Sequence, residues 1–539
     1  MPTTLPGART CDGTDGEGYD EPSRFILLPP EGLWPARRTH QDVVEVFHGL
    51  AEGLESGSPV HVNSKFKLFA ELADESADGD ALIRPLEHIL PPPRRVEAGA
   101  VEGVGPTLVE MNDAALRLLR RVQWALRVVP DRSVEMASSL PARVPVRAPA
   151  GTVPWTVGVR DTRGNPVYGA EVTVYTDAQM ILGDVGVTDQ TGSVTLHVVA
   201  GPSSVIDRLY VRPHRSTYRG HYASGVTMDP RRWHTVELTN VEPSIQDCVR
   251  ARYSPVPSDG KGVRIGIIDC GVDDTHPDLA LAGGRNFVLG ESLGAYGDNG
   301  TTGHGTHLAG IIAANPSDPS FPRGLAPSAT VFSYRVFGQG ATRIATTMTV
   351  LKSVIHAVYY DDCHLLNMSL GGLSPDSVWF DMDDEIWKNG ALAFAAAGNT
   401  NRGAVSLPAA LPHVAAVGAV GRKGTYPPGS LEVADEMGRF GNDPRDYTAA
   451  FSPHSRDVQL AAPGVGVMST LPGGGYGPWS GTSQASAAAL GRAASILTGN
   501  PVLELPPRAE RSAALWTTLF SRLSPLGTGL ELEGGGVLT

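Results

Sequence analysis

The chain has 539 residues, of which 41% are hydrophobic and 19% charged, so it can fill several cores and is not broadly disordered. Its formal net charge of −13 argues against nucleic acid or an anionic membrane as the main partner. The 63 glycines and 43 prolines follow no triplet period, which excludes a collagen and favours a loop-rich globular protein.

The sequence contains no run of 18 apolar residues, so we expect no transmembrane helix. Its first residues are polar and acidic and lack the basic and apolar regions of a signal peptide. The cysteines are scattered without the paired spacing of a disulfide framework or a zinc ribbon: Cys11, Cys248, Cys270 and Cys363. We therefore expect a cytoplasmic protein, with export by another route left open.

The first part of the chain predicts a disordered tail at 1–20 and an α+β domain at 21–137. In chain order, the patterns predict a strand at Phe25–Leu28, a helix at 41–54, a strand at Lys65–Leu72, a loop at 73–103, a strand at Thr107–Met111, a helix at Asp113–Arg121 capped by Asn112, and a strand at Trp124–Val129. The resulting β-α-β-β-α-β order is that of a ferredoxin-like domain.

A proline-bearing linker at 138–152 separates this region from a β domain at 153–242. In that domain, five short alternating runs are separated by turn signals, which predicts a small all-β sandwich. The runs are TVGVRD, EVTVYTD, SVTLHVV, RLYVRP and HTVELT. The stretches VRDTRGNPVYGAEVTVYTD and GVTDQTGSVTL resemble transthyretin-like or carboxypeptidase-regulatory-like sandwiches. We expect the domain to mediate interaction or spacing, because it shows no cluster of catalytic residues.

The remainder of the chain, 243–539, predicts an α/β domain. Near-continuous apolar runs at Val263–Ile268, Leu365–Met368 and Ala391–Ala397 alternate with helical segments. Such strands are typical of a mostly parallel sheet that is covered on both faces. A last helix is predicted at Arg508–Phe520.

Three residues of this domain are candidates for catalysis. Asp269 follows a buried strand, where open α/β sheets bind ligands, but it can equally be a turn residue. His304 opens a helical pattern; it can be a helix-start histidine without function, or a metal ligand with His307 that lacks the glutamate of the H-E-x-x-H pattern. Ser483 begins a long helix of small residues, where a plain helix cap explains it as well.

A serine hydroxyl is a weak nucleophile at neutral pH. It needs a base to take its proton, and that base needs a carboxylate to orient it. Asp269, His304 and Ser483 have the residue types for these three roles, and they follow one another in the order Asp…His…Ser, which is one of the known chain orders of such triads.

Several collinear motifs between Val263 and Gly499 resemble those of the subtilisin-like (subtilase) serine proteases. They are IDCGVDDTHPDL, GHGTHLAG, NMSLGG, AAAGN, AAPG, STLPG and SGTSQAS. The resemblance implies a three-layer α/β domain with a mostly parallel central sheet. It also implies a serine endopeptidase in which Asp269, His304 and Ser483 form the catalytic triad.

The resemblance assigns further residues around the scissile bond. Asn399 matches the side-chain amide that holds the oxyanion together with the Ser483 N–H, although a loop asparagine would look the same. The substrate cleft would be lined by Ser369, Leu370, Gly371, Gly372, Ala397, Gly398 and Ser406. Since no charge occurs at Ser406, the floor of the specificity pocket, we expect an uncharged residue before the scissile bond.

Four features concern departures from the family pattern and the cofactor. Cys270 stands where the family usually has serine or threonine, and Ala487 stands where it has proline. Gly424–Asp446 is predicted to be an inserted surface loop near the cleft. The chemistry requires no cofactor; Asp278 matches a family calcium ligand, so a structural calcium is a hypothesis, with a capping role as the alternative.

Region 21–137 resembles the inhibitory prodomains of this family. Because the β domain follows it, two alternatives remain: a retained intramolecular chaperone, or an inhibitory module released by a cut near 240–258. The sequence thus predicts a processing or regulatory protease that acts on proteins or peptides, with the β domain free to bind a partner protein. The rival hypothesis is a catalytically latent binding or scaffold protein of the same fold.

Overall fold

The computed structural model describes the following residues: 23–34, 41–61, 65–66, 81–89, 92, 101, 105–122, 126–137, 151–199, 205–213, 218–229, 231–241, 247–254, 256, 258–300, 302–339, 344–372, 375–400 and 403–539. The chain divides into two compact units, residues 1–131 and residues 132–539. The predicted tail, almost all of the predicted linker and most of the predicted strand at Lys65–Leu72 lie outside the described residues.

The first unit contains a five-stranded sheet and two helices. Its elements are β1 Ser23–Leu28, α1 Gln41–Ser56, β2 Val60–His61, β3 Leu82–His88, β4 Thr107–Met111, α2 Asp113–Arg121 and β5 Arg127–Pro130. The strands pair antiparallel in the order β2-β3-β4-β1-β5. The helices contribute apolar side chains such as Phe47 and Leu118 to one core with the sheet.

The local predictions for this unit were partly confirmed. Helix α2 has the predicted bounds, and the Asn112 side chain caps it by accepting a hydrogen bond from the Ala115 N–H at 3.0 Å. The loop predicted at 73–103 was wrong, because it contains β3, which pairs with β4. Pro85 interrupts the strand pattern there, at a register shift of the kind where strands tolerate proline.

The second unit begins with β6, Ser133–Met136, and continues with a β-sandwich whose strands are β7 Thr152–Asp161, β8 Glu171–Asp177, β9 Leu182–Val187, β10 Ser193–Val199, β11 Val205–Arg212, β12 His221–Thr227 and β13 His234–Leu238. Two sheets form, in the orders β10-β7-β13 and β12-β11-β8-β9. The alternating pattern arises because inward residues such as Trp155, Val172 and Leu209 fill the core between the sheets.

The strands of the remaining region are β14 Arg264–Asp269, β15 Leu281–Asn286, β16 Thr330–Arg335, β17 Ile344–Thr346, β18 Leu365–Met368, β19 Leu370–Gly371, β20 Leu392–Ala396, β21 Val414–Arg422, β22 Glu436–Phe440, β23 Asp446–Ala449, β24 Leu460–Pro463, β25 Val467–Leu471, β26 Gly475–Trp479, β27 Leu523–Ser524 and β28 Val537–Leu538. Its helices are α3 Cys248–Tyr253, α4 His304–Ala313, α5 Thr347–Tyr359, α6 Ser377–Lys388, α7 Thr482–Ile496, α8 Ala509–Phe520 and α9 Leu530–Glu533, with 3₁₀ helices at Leu431–Asp435 and Pro501–Glu504.

A nine-stranded sheet is the centre of this region. Its order is β15-β16-β14-β18-β20-β21-β23-β22, and β24 also pairs with β21. All pairs are parallel except those of β23, which confirms the mostly parallel sheet. Helices α4 and α7 contact each other, as do α5 and α6, and both pairs pack against the sheet. In the described part of the chain, no helix is long and apolar enough to cross a membrane.

The predicted insertion Gly424–Asp446 is not a surface loop. It contains the 3₁₀ helix Leu431–Asp435 and strand β22, which is the edge strand of the central sheet and pairs with β23. Glu432 and Asp446 are buried in it, so the segment packs against the fold instead of extending into solvent.

Candidate active site

Asp269 and His304 meet at the carboxyl end of β14. Asp269 is the last residue of that strand and is fully buried, and His304 is the first residue of α4. His304 Nδ1 lies 2.9 Å from Asp269 Oδ1 and 3.0 Å from its Oδ2. His304 Nε2 is buried and has no hydrogen-bond partner among the described residues. The carboxylate therefore fixes the ring and leaves Nε2 available to exchange a proton.

Ser483 is the second residue of α7 and is also fully buried. Its hydroxyl donates a hydrogen bond to the carbonyl oxygen of Ala137 at 2.6 Å. Because the first N–H groups of a helix have no partner within it, this position combines the hydroxyl with positively polarised backbone donors.

Asn399 donates to the same carbonyl oxygen. Its side-chain oxygen accepts hydrogen bonds from Thr482 N at 3.0 Å and Thr482 Oγ1 at 3.1 Å, which sets the orientation of the amide. Its Nδ2 then donates to the Ala137 oxygen at 3.2 Å. One peptide carbonyl is thus held between the hydroxyl of Ser483 and the amide of Asn399.

The segment that supplies this carbonyl lies in a groove as an extra strand. Strand β6 pairs antiparallel with β17 on one side and β19 on the other, and Ala137 N donates to Ser369 O at 3.1 Å. The side chains of Val134 and Met136 are buried, whereas the intervening residues are exposed. This is the β-augmentation expected of a bound peptide, with alternate side chains in pockets.

A family model described as the subtilase family matches residues 260–531, about half of the chain. The chain belongs to the subtilase family. It is 32% identical to Subtilisin Savinase of Lederbergia lenta over 242 residues, which cover 45% of this chain and 78% of that protein. It is also 32% identical to Subtilisin DY of Bacillus licheniformis over 264 residues, or 48% of this chain and 85% of that protein.

The chain also spans 56% of the length of an alkaline protease of Shouchella clausii, at 32% identity. The matched family establishes a serine endopeptidase with an α/β fold, as the motif resemblance implied. The sandwich and the first unit precede the matched residues.

The remaining predicted cleft residues of this subtilase lie beside the site. Gly372 exchanges two backbone hydrogen bonds of 3.0 Å with Leu407. Ser406 N donates to Ala397 O at 3.1 Å, and Gly398 N donates to Thr482 Oγ1 at 3.2 Å. Sequence analysis did not identify β17 as the second wall of the groove or 133–137 as its occupant. The alternation in Ser-Val-Glu-Met-Ala was the available signal.

His307 and Cys270 support the site without belonging to its reacting groups. His307 stacks on Trp479 at 4.6 Å between ring centroids, and its Nε2 lies 3.1 Å from Gly477 O. Burial lowers the pKa of His307 to about 3, so it is neutral at physiological pH. Burial also raises the pKa of Cys270 well above its ordinary value, and the thiol accepts a hydrogen bond from Gly305 N.

Two places bear on metal binding. The described residues contain no group of three or more His, Cys, Asp or Glu side chains that could hold a metal ion. His304 Nδ1 lies beside Asp269 and His307 Nε2 beside Gly477 O. Asp278 Oδ2 accepts a hydrogen bond from the Tyr476 hydroxyl at 2.6 Å, and Tyr476 stacks on Phe321. Calcium needs six or more oxygens, so this arrangement does not fit it as it stands. The calcium hypothesis stays a prediction.

Proposed function

We propose that the endopeptidase activity of this subtilase uses Asp269, His304 and Ser483 as its catalytic triad. The observation that carries the proposal is the Ala137 carbonyl oxygen, which lies 2.6 Å from Ser483 Oγ and 3.2 Å from Asn399 Nδ2. A scissile carbonyl in a peptidase must contact a nucleophile and an oxyanion donor at once.

In the reaction, Ser483 Oγ attacks the carbonyl carbon and His304 Nε2 takes the hydroxyl proton. Asp269 orients the ring and stabilises the imidazolium that forms. The negative oxygen is held by Asn399 Nδ2 and the Ser483 N–H. When the C–N bond breaks, His304 gives the proton to the leaving amine; a water molecule then hydrolyses the acyl-enzyme by the same route.

The occupied groove supports a substrate class. Ala137 lies immediately before the scissile bond, Met136 is the second residue back and Val134 is the fourth, and the last two are buried. The substrate is therefore an extended protein or peptide segment with a small uncharged residue before the cut and apolar residues at alternate positions.

The same geometry supports self-cleavage at the Ala137–Ser138 bond. Among the described residues of the alternative range 240–258, Cys248–Tyr253 is a helix and Tyr253 is buried, which does not favour a cut within that helix. We therefore propose that the ferredoxin-like region before this bond is a prodomain and that the sandwich stays on the mature chain. A processing or regulatory role in the cytoplasm remains a proposal from the sequence.

The test compares the full-length wild type with Ser483→Ala by intact mass and fluorophosphonate labelling. We expect the wild type to label and to release a product that begins at Ser138, whereas Ser483→Ala stays whole and unlabelled. Ser495→Ala, a change on the same helix whose hydroxyl bonds to Ser258 O, should behave as the wild type.

Two outcomes would contradict this function. Hydrolysis by Ser483→Ala at the wild-type rate would exclude the triad. A wild type that stays whole and unlabelled would favour the alternative, a catalytically latent binding protein. The observation that bears on this alternative is that residues of the chain itself occupy the groove beside Ser483.

A further inference from the structure

The β-sandwich is joined to the peptidase region by strand-like pairing. Tyr222 N donates to Gly429 O at 2.8 Å, and Leu431 N donates to Gly220 O at 3.2 Å. A Cβ atom on Gly220 would lie 2.1 Å from Leu431 Cδ1, so the Leu431 side chain fills the space that a side chain at position 220 would need. Leu431 therefore packs directly against the glycine of the sandwich.

A buried ion pair lies next to this pairing. Arg219 of the sandwich donates to Glu432 Oε1 at 2.8 Å, and the two side chains are only 2% and 5% exposed. A charge at such burial needs its partner, because water cannot replace it. The ion pair thus binds the sandwich to the 3₁₀ helix Leu431–Asp435.

Glu432 of that helix also contacts Gly466, which is hydrogen-bonded to Ser480 in the loop before Ser483. A Cβ atom on Gly466 would lie 2.9 Å from Glu432 Cγ, so the Glu432 side chain covers this glycine. Gly466 N in turn donates to Ser480 Oγ at 3.0 Å. Ser480 lies three residues before Ser483 in the chain.

A second acid of the same helix reaches the same serine. Asp435 forms a side-chain hydrogen bond with Ser480, and the nearby charge of Arg212 from the sandwich acts on Asp435. Burial raises the pKa of Asp435 to about 7, while Arg212 opposes the rise. The contact between the sandwich and this helix is therefore carried by the Arg219–Glu432 ion pair, and the charge of Arg212 acts in the same direction on Asp435.

We propose that the β-sandwich is a permanent part of the mature peptidase and that Arg219 is a positioning residue for Ser483. The inference rests on the proposed catalytic role of Ser483. Arg219 holds Glu432 over Gly466, and the Gly466 N–H donates to the Ser480 hydroxyl. Displacement of Ser480 would shift the start of α7, and small misplacements of a nucleophile are costly to the rate.

The experiment starts from the full-length chain and lets it complete its own cleavage. The substrate is the p-nitroanilide of the peptide Ser-Val-Glu-Met-Ala. For Arg219→Met we expect kcat to fall about 10- to 100-fold, with KM nearly unchanged and an equal loss in the rate of fluorophosphonate labelling. Arg219→Lys should recover a large part of kcat, because it restores the charge. Arg231→Met, at an exposed arginine of the same domain, should match the wild type.

Ser480→Ala keeps the inference testable if Arg219→Met does not fold, and it should show the same split between kcat and KM. Wild-type kcat in either folded variant would overturn the positioning role, as would a variant that loses only thermal stability. Loss of the sandwich from the mature chain during activation would overturn its permanence. Failure of the proposed function would give a different result from failure of this inference, because the wild type itself would then not react with the fluorophosphonate.

Discussion

Two segments that precede the matched peptidase region pair with it as strands. They differ in the groups that they place against this region. Strand β6 has exposed side chains at alternate positions and leads to a carbonyl beside Ser483. The segment at Arg219–Tyr222 instead buries a charge against Glu432 and offers no carbonyl to the nucleophile. Strand pairing alone therefore does not distinguish a segment that is bound like a substrate from a structural contact. The two segments are distinguished by the carbonyl that follows β6 beside Ser483 and by the buried charge of Arg219.

The largest expected effect concerns the β6 side of this comparison. Asn399→Ala removes one donor to the developing oxyanion, and we expect kcat to fall about 10²–10³-fold, the range known for such a donor in subtilisin itself. Steady-state hydrolysis of the p-nitroanilide measures the loss. Asn315→Ala, at a site far from Ser483 in the chain, serves as the control, and equal rates for both variants would contradict the role of Asn399.

The next effect sharpens the claim that β6 is bound as a substrate. Ala137→Glu would place a carboxylate before the proposed cut, where we expect an uncharged side chain, so self-cleavage should slow by about 100-fold. The small amount of cut enzyme should still hydrolyse an external peptide. Intact mass over time measures the cut. Glu135→Gln, at an exposed position of the same strand, should cut at the normal rate.

For the segment Arg219–Tyr222 of the sandwich, we expect an effect on stability instead. In a Ser483→Ala background, Glu432→Ala leaves Arg219 buried without its partner and should lower the free energy of unfolding by about 3–5 kcal/mol. Glu135→Ala on β6 should change it by less than about 0.5 kcal/mol. Urea denaturation compares the two, and similar losses would remove the distinction between the segments.

A smaller effect follows from Asp435. Its pKa is raised from 3.8 to about 7, so the folded chain holds this proton over a range in which the unfolded chain has lost it. Stability from this group is therefore lost as pH rises from about 4 to about 7. We expect the denaturation midpoint of Asp435→Asn to fall less between about pH 4 and about pH 7 than that of the wild type. An equal fall in both proteins would contradict the raised pKa of Asp435.

The smallest effect is expected from chelation. None of the proposed steps uses a metal, so EDTA should leave kcat unchanged within error. If EDTA lowers only the melting temperature, the chain binds a metal ion such as calcium that stabilises the fold. If EDTA lowers kcat while the protein stays folded, the proposed mechanism is contradicted.

The three residues proposed as the triad could be located from sequence motifs, because each motif has its own local geometry. Asp269 ends a strand, and His304 and Ser483 begin helices, so strand and helix signals sufficed to place them. The strand Leu365–Met368 was predicted at its observed bounds, since a parallel strand buried on both faces is continuously apolar.

The missed features depend on contacts between distant parts of the chain. Strands β9 and β12 lie at the two ends of one sandwich sheet and contain glycines, so their apolar alternation is weak. The occupant of the cleft was missed for a related reason: Ser133–Ala137 looks like any short strand until β17 and β19 flank it. Likewise, no local pattern links Arg219 with Glu432.

The carbonyl held by Ser483 and Asn399 also marks where a covalent inhibitor would place its reactive group. A peptide that copies Ser133–Met136 and ends in alaninal would set an aldehyde carbon at the attacked position. Its backbone would repeat the ladder of β6 with β17 and β19. On the proposed mechanism, the chain therefore contains a template for a selective, reversible inhibitor of the form that the proposed cut after Ala137 would release.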